Sequence, residues 1–262
     1  MTKGLEWDRK VTWEEAISGI HVETLRWLVV SDPDGPKFDF EESHPLWPAA
    51  LKGSIEVLTI AADNGAILEP ELCDCAVDGE QMETLKWLHS KGVTGTPEAC
   101  WHAVGRGNTE MLDYLLDHGG YNFAQEMDDG RIYAAAVEKG SVAGADWLLQ
   151  HDVPPPVDEP ERKALFELAM DRQHCDMLTW LHELELCPLE AEHVQFALWH
   201  GLAKTLQWLM DNDCPIDLED AQNLSWHDEV SEIGLILSCW KDKLRERERN
   251  DSTLQLVDPE QV

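Results

Sequence analysis

Basic residues are scarce in this sequence, and the scarcity limits what the protein can bind. Its 262 residues include 20 Lys plus Arg against 52 Asp plus Glu, which gives a formal net charge of −32 at pH 7. Nucleic acids and anionic membranes are bound through clustered Lys and Arg side chains. We therefore expect no nucleic-acid partner and no membrane surface. A basic protein is a better match for this charge.

Long apolar runs are also absent. The longest, such as residues 27–30, fall far short of the roughly 20 residues that a membrane-spanning helix needs. The charged segment 1–13 has no apolar run behind it, which argues against a secretory signal. The seven cysteines are an odd number in apolar-looking segments, as expected for reduced thiols rather than for a disulfide framework. Together these features predict a cytoplasmic or nuclear protein.

Tyrosine and phenylalanine are rare, with 3 and 5 copies, whereas tryptophan occurs 12 times. Four tryptophans lie in a repeated Leu-x-Trp-Leu string, and relaxed copies of the string fill the gaps between them. The copies begin at residues 25, 58, 85, 112, 145, 178, 206 and 233. Their spacings of 33, 27, 27, 33, 33, 28 and 27 residues identify one unit that is repeated about eight times.

A second motif lies nine residues before each string and begins with a small or apolar residue, as at Ala49, Ala76 and Ala103. Glycine follows it at residues 53, 107, 140 and 201. Both motifs have helical spacing, and a Gly between them is typical of a left-handed helix end followed by a tight turn. Each unit is therefore predicted to be a helix, a short turn and a second helix. Such a pair cannot bury its own apolar face, so the units are expected to stack into a solenoid.

The repeated unit resembles the ankyrin repeat. Residues 44–58, His-Pro-Leu-Trp-Pro-Ala-Ala-Leu-Lys-Gly-Ser-Ile-Glu-Val-Leu, are similar to that family's Thr-Pro-Leu-His-x-Ala-Ala-x-x-Gly-His-x-Glu-Val-Val run. Residues 107–119 are similar to its second helix and closing Gly, and the resemblance extends over residues 11–238. The chain departs from the family in that only one copy keeps the Pro-Leu opening, and in that Trp replaces the usual aliphatic residue of the second helix.

The resemblance implies an all-α fold, an ankyrin-like helix-turn-helix solenoid of about eight repeats over residues 1–240. Residues 241–262 are then a charged C-terminal capping segment and tail. The Trp of the repeated string is expected to fill the core behind the small Ala residues of the first helices. This prediction covers Trp27, Trp87, Trp147, Trp180 and Trp208.

The resemblance also implies where a partner would bind, because in ankyrin repeats the two variable residues in front of the Gly site project from the concave face. We call the first of these two residues ridge position 1 and the second ridge position 2, and all of them together the ridge. The pairs of positions are residues 18–19, 51–52, 78–79, 105–106, 138–139, 171–172, 199–200 and 226–227. The expected partner-binding residues among them are Lys52, Asp78, Arg106, Glu138, Lys139, Asp171, Arg172, Trp199, His200, Trp226 and His227.

Two features of this ridge suggest binding. Its scarce cations, at residues 52, 106, 139 and 172, would form a cationic strip that attracts an acidic or phosphorylated peptide. Alternatively, these cations only complement the dipoles of the helices that end there. Trp199 and Trp226, each followed by His, lie outside the core position of the string and are candidate exposed hot spots.

Motifs of catalysis are missing from the sequence. There is no Gly-rich phosphate loop, nucleophile elbow or His-Glu-x-x-His string, and the Cys and His residues lack zinc spacing. We expect no enzymatic activity, no cofactor and no metal. The predicted function is a monomeric protein–protein interaction scaffold. Its partner is a basic protein on the acidic surface, or an acidic or phosphorylated peptide in the groove.

Two other functions stay open at this point. One is an adaptor that recruits a target to a ligase complex, although no second recruitment domain is visible after residue 240. The other is a helical-barrel hydrolase, which would require a buried pair of carboxylates in a central cleft.

Overall fold

A computed structural model describes residues 9–31, 45–119, 131–216 and 231–254. Within these ranges the chain is helical and contains no strand, which confirms the all-α class. The helices, numbered along the chain, are α1 Arg9–Ser18, α2 Val22–Ser31, α3 Trp47–Leu51, α4 Ile55–Asp63, α5 Glu71–Asp78, α6 Met82–Ser90, α7 Pro97–Arg106, α8 Thr109–His118, α9 Arg131–Lys139, α10 Val142–Gln150, α11 Glu159–Asp171, α12 Cys175–Glu183, α13 Ala191–Trp199, α14 Ala203–Asp211 and α15 Glu232–Leu254.

Helices α1 to α14 form seven pairs, and each pair is joined by a turn of two or three residues. Local sequence explains the turn between α7 and α8. The Thr96 hydroxyl caps the start of α7 by accepting a hydrogen bond from the Glu98 N–H, and Pro97 occupies the first helical position. Gly107 ends the helix with a φ of 68°, and the Asn108 side chain then caps α8 by accepting from the Met111 N–H.

All seven turns contain a left-handed residue at the position directly after ridge position 2. Glycine takes this place at the four positions that the sequence predicted, with φ between 68° and 75°. The other three turns use Ile20, Glu80 and Gln173, with φ of 58°, 59° and 56°. A side chain at such a φ crowds the backbone, so these three residues are retained at a local cost in free energy.

We expect Glu80→Gly to raise the free energy of unfolding by about 1 kcal/mol, because it removes the left-handed penalty of an exposed residue. Urea denaturation followed by the helical circular dichroism signal measures the change. The matched control is Glu15→Gly in the middle of α1, which should lose about 1 kcal/mol through helix propensity. Equal losses in the two variants would contradict the left-handed role of residue 80.

The chain divides into two compact units, residues 1–155 and 156–262. In the first unit the first helices contact one another in the order α1, α3, α5, α7, α9, and the second helices contact each other at α2 with α4 and α8 with α10. In the second unit α11 contacts α13, α12 contacts α14, and α14 contacts α15. Successive helix pairs within a unit therefore pack with equivalent helices side by side. Helix α15 runs without a break through residue 240.

Three contacts between successive pairs of the first unit join ridge position 1 of one pair with ridge position 2 of the next. The Asp78 carboxylate accepts a hydrogen bond from the Arg106 guanidinium at 2.9 Å. A Cβ built on Gly79 would lie 1.9 Å from the Leu51 carbonyl oxygen, and one on Gly105 would lie 3.1 Å from Lys139 Cγ. These three contacts join equivalent positions of the sequence repeat in successive pairs.

The repeated Trp is a core residue in the later pairs. Trp147, Trp180 and Trp208 are 4%, 7% and 8% exposed, and Trp87 is half-buried. The prediction is wrong for Trp27, whose side chain is 59% exposed.

The later tryptophans show why Trp27 differs. Trp147 Nε1 donates to Asp113 Oδ1 at 2.7 Å, and Trp208 Nε1 donates to Thr179 Oγ1 at 2.9 Å. In both cases the indole packs on the second helix of the preceding pair. Its hydrogen-bond partner is the second residue of the four-residue string in that helix. Trp27 belongs to the first described pair, and no described helix precedes α1.

Candidate interaction surface

The ridge positions lie at the C-terminal ends of the first helices of the pairs. The predicted residues Lys52, Arg106, Glu138, Lys139, Asp171, Arg172, Trp199 and His200 are exposed, and Asp78 is half-buried. Trp226 and His227 lie outside the described residues. The buried side chains of these helices, such as Ala103 and Val104, face the other way. Within each unit, the ridge positions named here therefore face solvent, wholly or in part, and the apolar side chains of the same helices are buried.

Arg106 is held by an ion pair within the chain. Its Nη2 and Nε donate to Asp78 Oδ1 at 2.9 and 3.3 Å. His102, one turn earlier on α7, has its Nδ1 3.5 Å from the same oxygen. Asp78 thus compensates the charge of Arg106, so this part of the ridge is not the open cationic site that the sequence suggested.

The sequence did not predict the Asp78–Arg106 ion pair, although the separation of the two residues indicates it. Asp78 and Arg106 are separated by one residue more than the local repeat spacing of 27. The same offset joins Leu51 with Gly79 across the preceding spacing of 27, and Gly105 with Lys139 across a spacing of 33. Lys139 packs its aliphatic stem over Gly105 in this arrangement.

Trp199 is the most exposed aromatic residue of the described ridge. It ends α13 with 71% of its side chain in solvent, while Val194, Ala197 and Leu198 of the same helix are buried. One turn earlier, the half-buried ring of Phe196 lies 4.4 Å from the ring of His200. The three side chains form an aromatic patch, which we define as Phe196, Trp199 and His200. The exposure of Trp199 was predicted, whereas Phe196 was not singled out.

A groove of about 580 Å³ lies in the second unit between α14 and α15. Its apolar lining includes Trp208, Leu235 and Ile236, and Lys204 and Glu232 also line it. No sequence pattern pointed to this groove.

The buried carboxylate of the described ranges has a structural role. Asp74 lies on α5, and its two oxygens accept hydrogen bonds from the N–H and the hydroxyl of Thr96 at 2.9 and 2.7 Å. Burial raises the pKa of Asp74. Among the described residues it is the one buried acidic side chain, so these ranges do not contain the buried carboxylate pair that a hydrolase would use.

The Cys187 and His193 side chains meet, but they do not form an activated nucleophile. Cys187 Sγ lies 3.9 Å from His193 Nε2, and the Glu190 backbone N–H donates to His193 Nδ1 at 3.0 Å. Because Nδ1 is the acceptor, Nε2 of the neutral ring carries the proton and cannot receive one from the thiol. Burial raises the pKa of Cys187 and lowers that of His193, which keeps both groups uncharged.

Comparison with known proteins identifies no relative of this chain. No protein-family model matches the sequence, and a search of curated proteins gives no match. None of the described helices has both the length and the apolar character needed to cross a membrane. The described side chains include no group of three or more His, Cys, Asp or Glu placed to hold a metal ion.

Proposed function

We propose that the chain is a non-enzymatic protein–protein interaction scaffold, built as an ankyrin-like helix-turn-helix solenoid that binds a partner protein along its ridge. The solenoid is supported by the left-handed residue that recurs in all seven described turns. It is also supported by the contacts between ridge positions of successive pairs in the first unit. Within each unit, successive pairs present similar positions side by side, which suits binding a partner at several of them.

The observation that carries the binding proposal is the exposure of Trp199. At the equivalent ridge position three other pairs have an acidic residue, namely Asp78, Glu138 and Asp171, whose charge water or a cation can compensate. An indole in that place exposes a large apolar area whose burial by a partner is strongly favourable. Tryptophan is also among the residues that most often dominate the energy of protein interfaces.

The proposal is tested by affinity capture with quantitative mass spectrometry. The purified chain is immobilised and exposed to an extract of the cells that produce it. We expect at least one protein to be retained by the wild type and to fall about tenfold or more with Trp199→Ala, because hot-spot truncations cost about 2 kcal/mol or more.

The matched control is Trp27→Ala, which removes another exposed Trp, from a second helix away from the ridge. It should leave retention of the same protein unchanged. The proposal is overturned if no protein depends on Trp199, or if both variants lose the same proteins to the same extent.

A further inference from the structure

The offset between helices α11 and α13 predicts that Asp171, the last residue of α11, faces the aromatic patch. The two helices pack against each other and are joined by an ion pair between Lys163 Nζ and Glu192 Oε2 at 3.1 Å. Lys163 and Glu192 are 29 residues apart, which is one residue more than the local repeat spacing of 28. This is the relation that pairs Asp78 with Arg106 in the first unit. It matches Asp171, at ridge position 1, with His200 at ridge position 2.

The two equivalent sites differ in what neutralises the carboxylate. Asp78 is neutralised by Arg106 of its own chain. At the second site His200 replaces the arginine, and among the described residues no cation lies within ion-pairing distance of Asp171. Asp171 is thus not paired with an arginine of the next helix pair, as Asp78 is, although the exposed Arg172 follows it in the chain.

The surroundings of Asp171 favour a cation. Helices α11 and α13 end at Asp171 and Trp199, so the partial negative charges of two helix C-termini add to the carboxylate. The exposed indole of Trp199 and the ring of Phe196 provide aromatic faces, which attract a cation through their quadrupoles.

We propose that Asp171, Trp199 and His200 form a receptor site for an arginine side chain of a basic partner protein, in the place that Arg106 takes beside Asp78. This inference rests on the proposed scaffold function and names the chemistry of the partner. A guanidinium is planar, stacks on aromatic rings and forms paired hydrogen bonds with a carboxylate, so it uses all parts of this site. The net charge of −32 attracts a basic partner over long range and repels a second copy of the chain or an acidic peptide.

The probe is a synthetic pentapeptide, acetyl-Ala-Arg-Ala-Arg-Ala-amide, and its control has Glu in place of Arg. Both are titrated into the ¹⁵N-labelled full chain while the indole N–H signals are followed by NMR, with the Trp199 signal assigned from Trp199→Phe. We expect the Arg peptide to shift the Trp199 signal to saturation and the Glu peptide to leave it in place. The Trp27 signal serves as an internal control for non-specific attraction.

Two variants test the assignment of residues. Asp171→Asn removes the carboxylate, and His200→Arg supplies the in-chain guanidinium that Asp78 already has. Each should weaken binding of the Arg peptide about fivefold or more. The matched control is Asp176→Asn, an exposed Asp of α12 outside the ridge, which should change the affinity less than twofold.

Three results would overturn the arginine site. They are equal shifts of the Trp199 and Trp27 signals, unchanged affinity in Asp171→Asn, and tighter binding of the Glu peptide.

The protein captured through Trp199 shows whether the arginine site or the scaffold function has failed. If that protein is lost with Trp199→Ala but kept with Asp171→Asn and His200→Arg, the scaffold function stands and the arginine site falls. If it is kept with Trp199→Ala, the scaffold function falls.

Discussion

Replacing Trp208 with alanine lowers the free energy of unfolding by about 3–5 kcal/mol. Its side chain is 8% exposed, and its indole N–H donates to Thr179 Oγ1 at 2.9 Å. The ring also meets Phe166 and His182 edge-on, with centroids 6.1 and 5.9 Å apart. Alanine leaves a cavity between α12 and α14 and removes the hydrogen bond that Thr179 Oγ1 accepts from the indole. Urea denaturation monitored by circular dichroism measures the loss.

The control for this prediction lies in the same unit. Trp199→Ala removes the same side chain from a position that is 71% exposed, so the free energy of unfolding should change by about 0.5 kcal/mol or less. An unaltered denaturation midpoint for Trp208→Ala would show that the repeated Trp does not hold successive pairs together. A loss in Trp199→Ala as large as that in Trp208→Ala would show that the ridge indole is part of the core.

Gly144→Ala should destabilise the first unit by about 1–3 kcal/mol, although alanine is the better helix former by about 1 kcal/mol. Gly144 lies inside α10 and is buried against α7. A Cβ at this position would lie 2.1 Å from the Val104 carbonyl oxygen, which is a backbone atom and cannot turn away. Helices α7 and α10 would have to separate. The change is measured from the urea midpoint and from the hydrogen-exchange rate of the α7 amides.

Gly105→Ala is the comparison for this variant. Gly105 also lies in a helix, but its Cβ would meet the flexible Lys139 side chain at 3.1 Å and the Ala135 carbonyl at 3.2 Å. We expect a smaller loss than in Gly144→Ala. If Gly144→Ala is as stable as the wild type, the two helices are not in backbone contact at this point.

The sequence repeat predicted the helix pairs because its period comes from contacts that every pair makes. Small residues such as Ala49, Ala76 and Ala103 are fully buried, as their position in the repeat requires. The left-handed turns were predicted only where glycine marks them. At Ile20, Glu80 and Gln173 the same φ is imposed by the helices on either side, and residue type gives no sign of it.

Trp27 shows the limit of repeat-based prediction. Its string has the same Leu-x-Trp-Leu pattern as that of Trp87, yet Trp27 is exposed because burial of this Trp depends on a preceding pair. The repeat describes a residue's place within its own unit, whereas exposure depends on the neighbouring unit. The first described pair therefore departs from the pattern of the later pairs.

The candidate site was predicted only in part. The register placed Trp199 and the charged residues on the ridge, where all of them are exposed except the half-buried Asp78. The charge that the ridge presents depends on contacts between pairs, so the neutralisation of Arg106 by Asp78 could not be read from either residue alone. Residues that meet across successive pairs are separated by the repeat spacing plus one residue. In the second unit, this relation matches Asp171 with His200.

Binding of a partner protein by the ridge near Trp199 is tested most directly by a dissociation constant. The captured partner is purified and titrated calorimetrically into the wild type, Trp199→Ala and Trp27→Ala. We predict that Trp199→Ala weakens binding about tenfold or more while Trp27→Ala matches the wild type. Equal dissociation constants for all three proteins would contradict the claim.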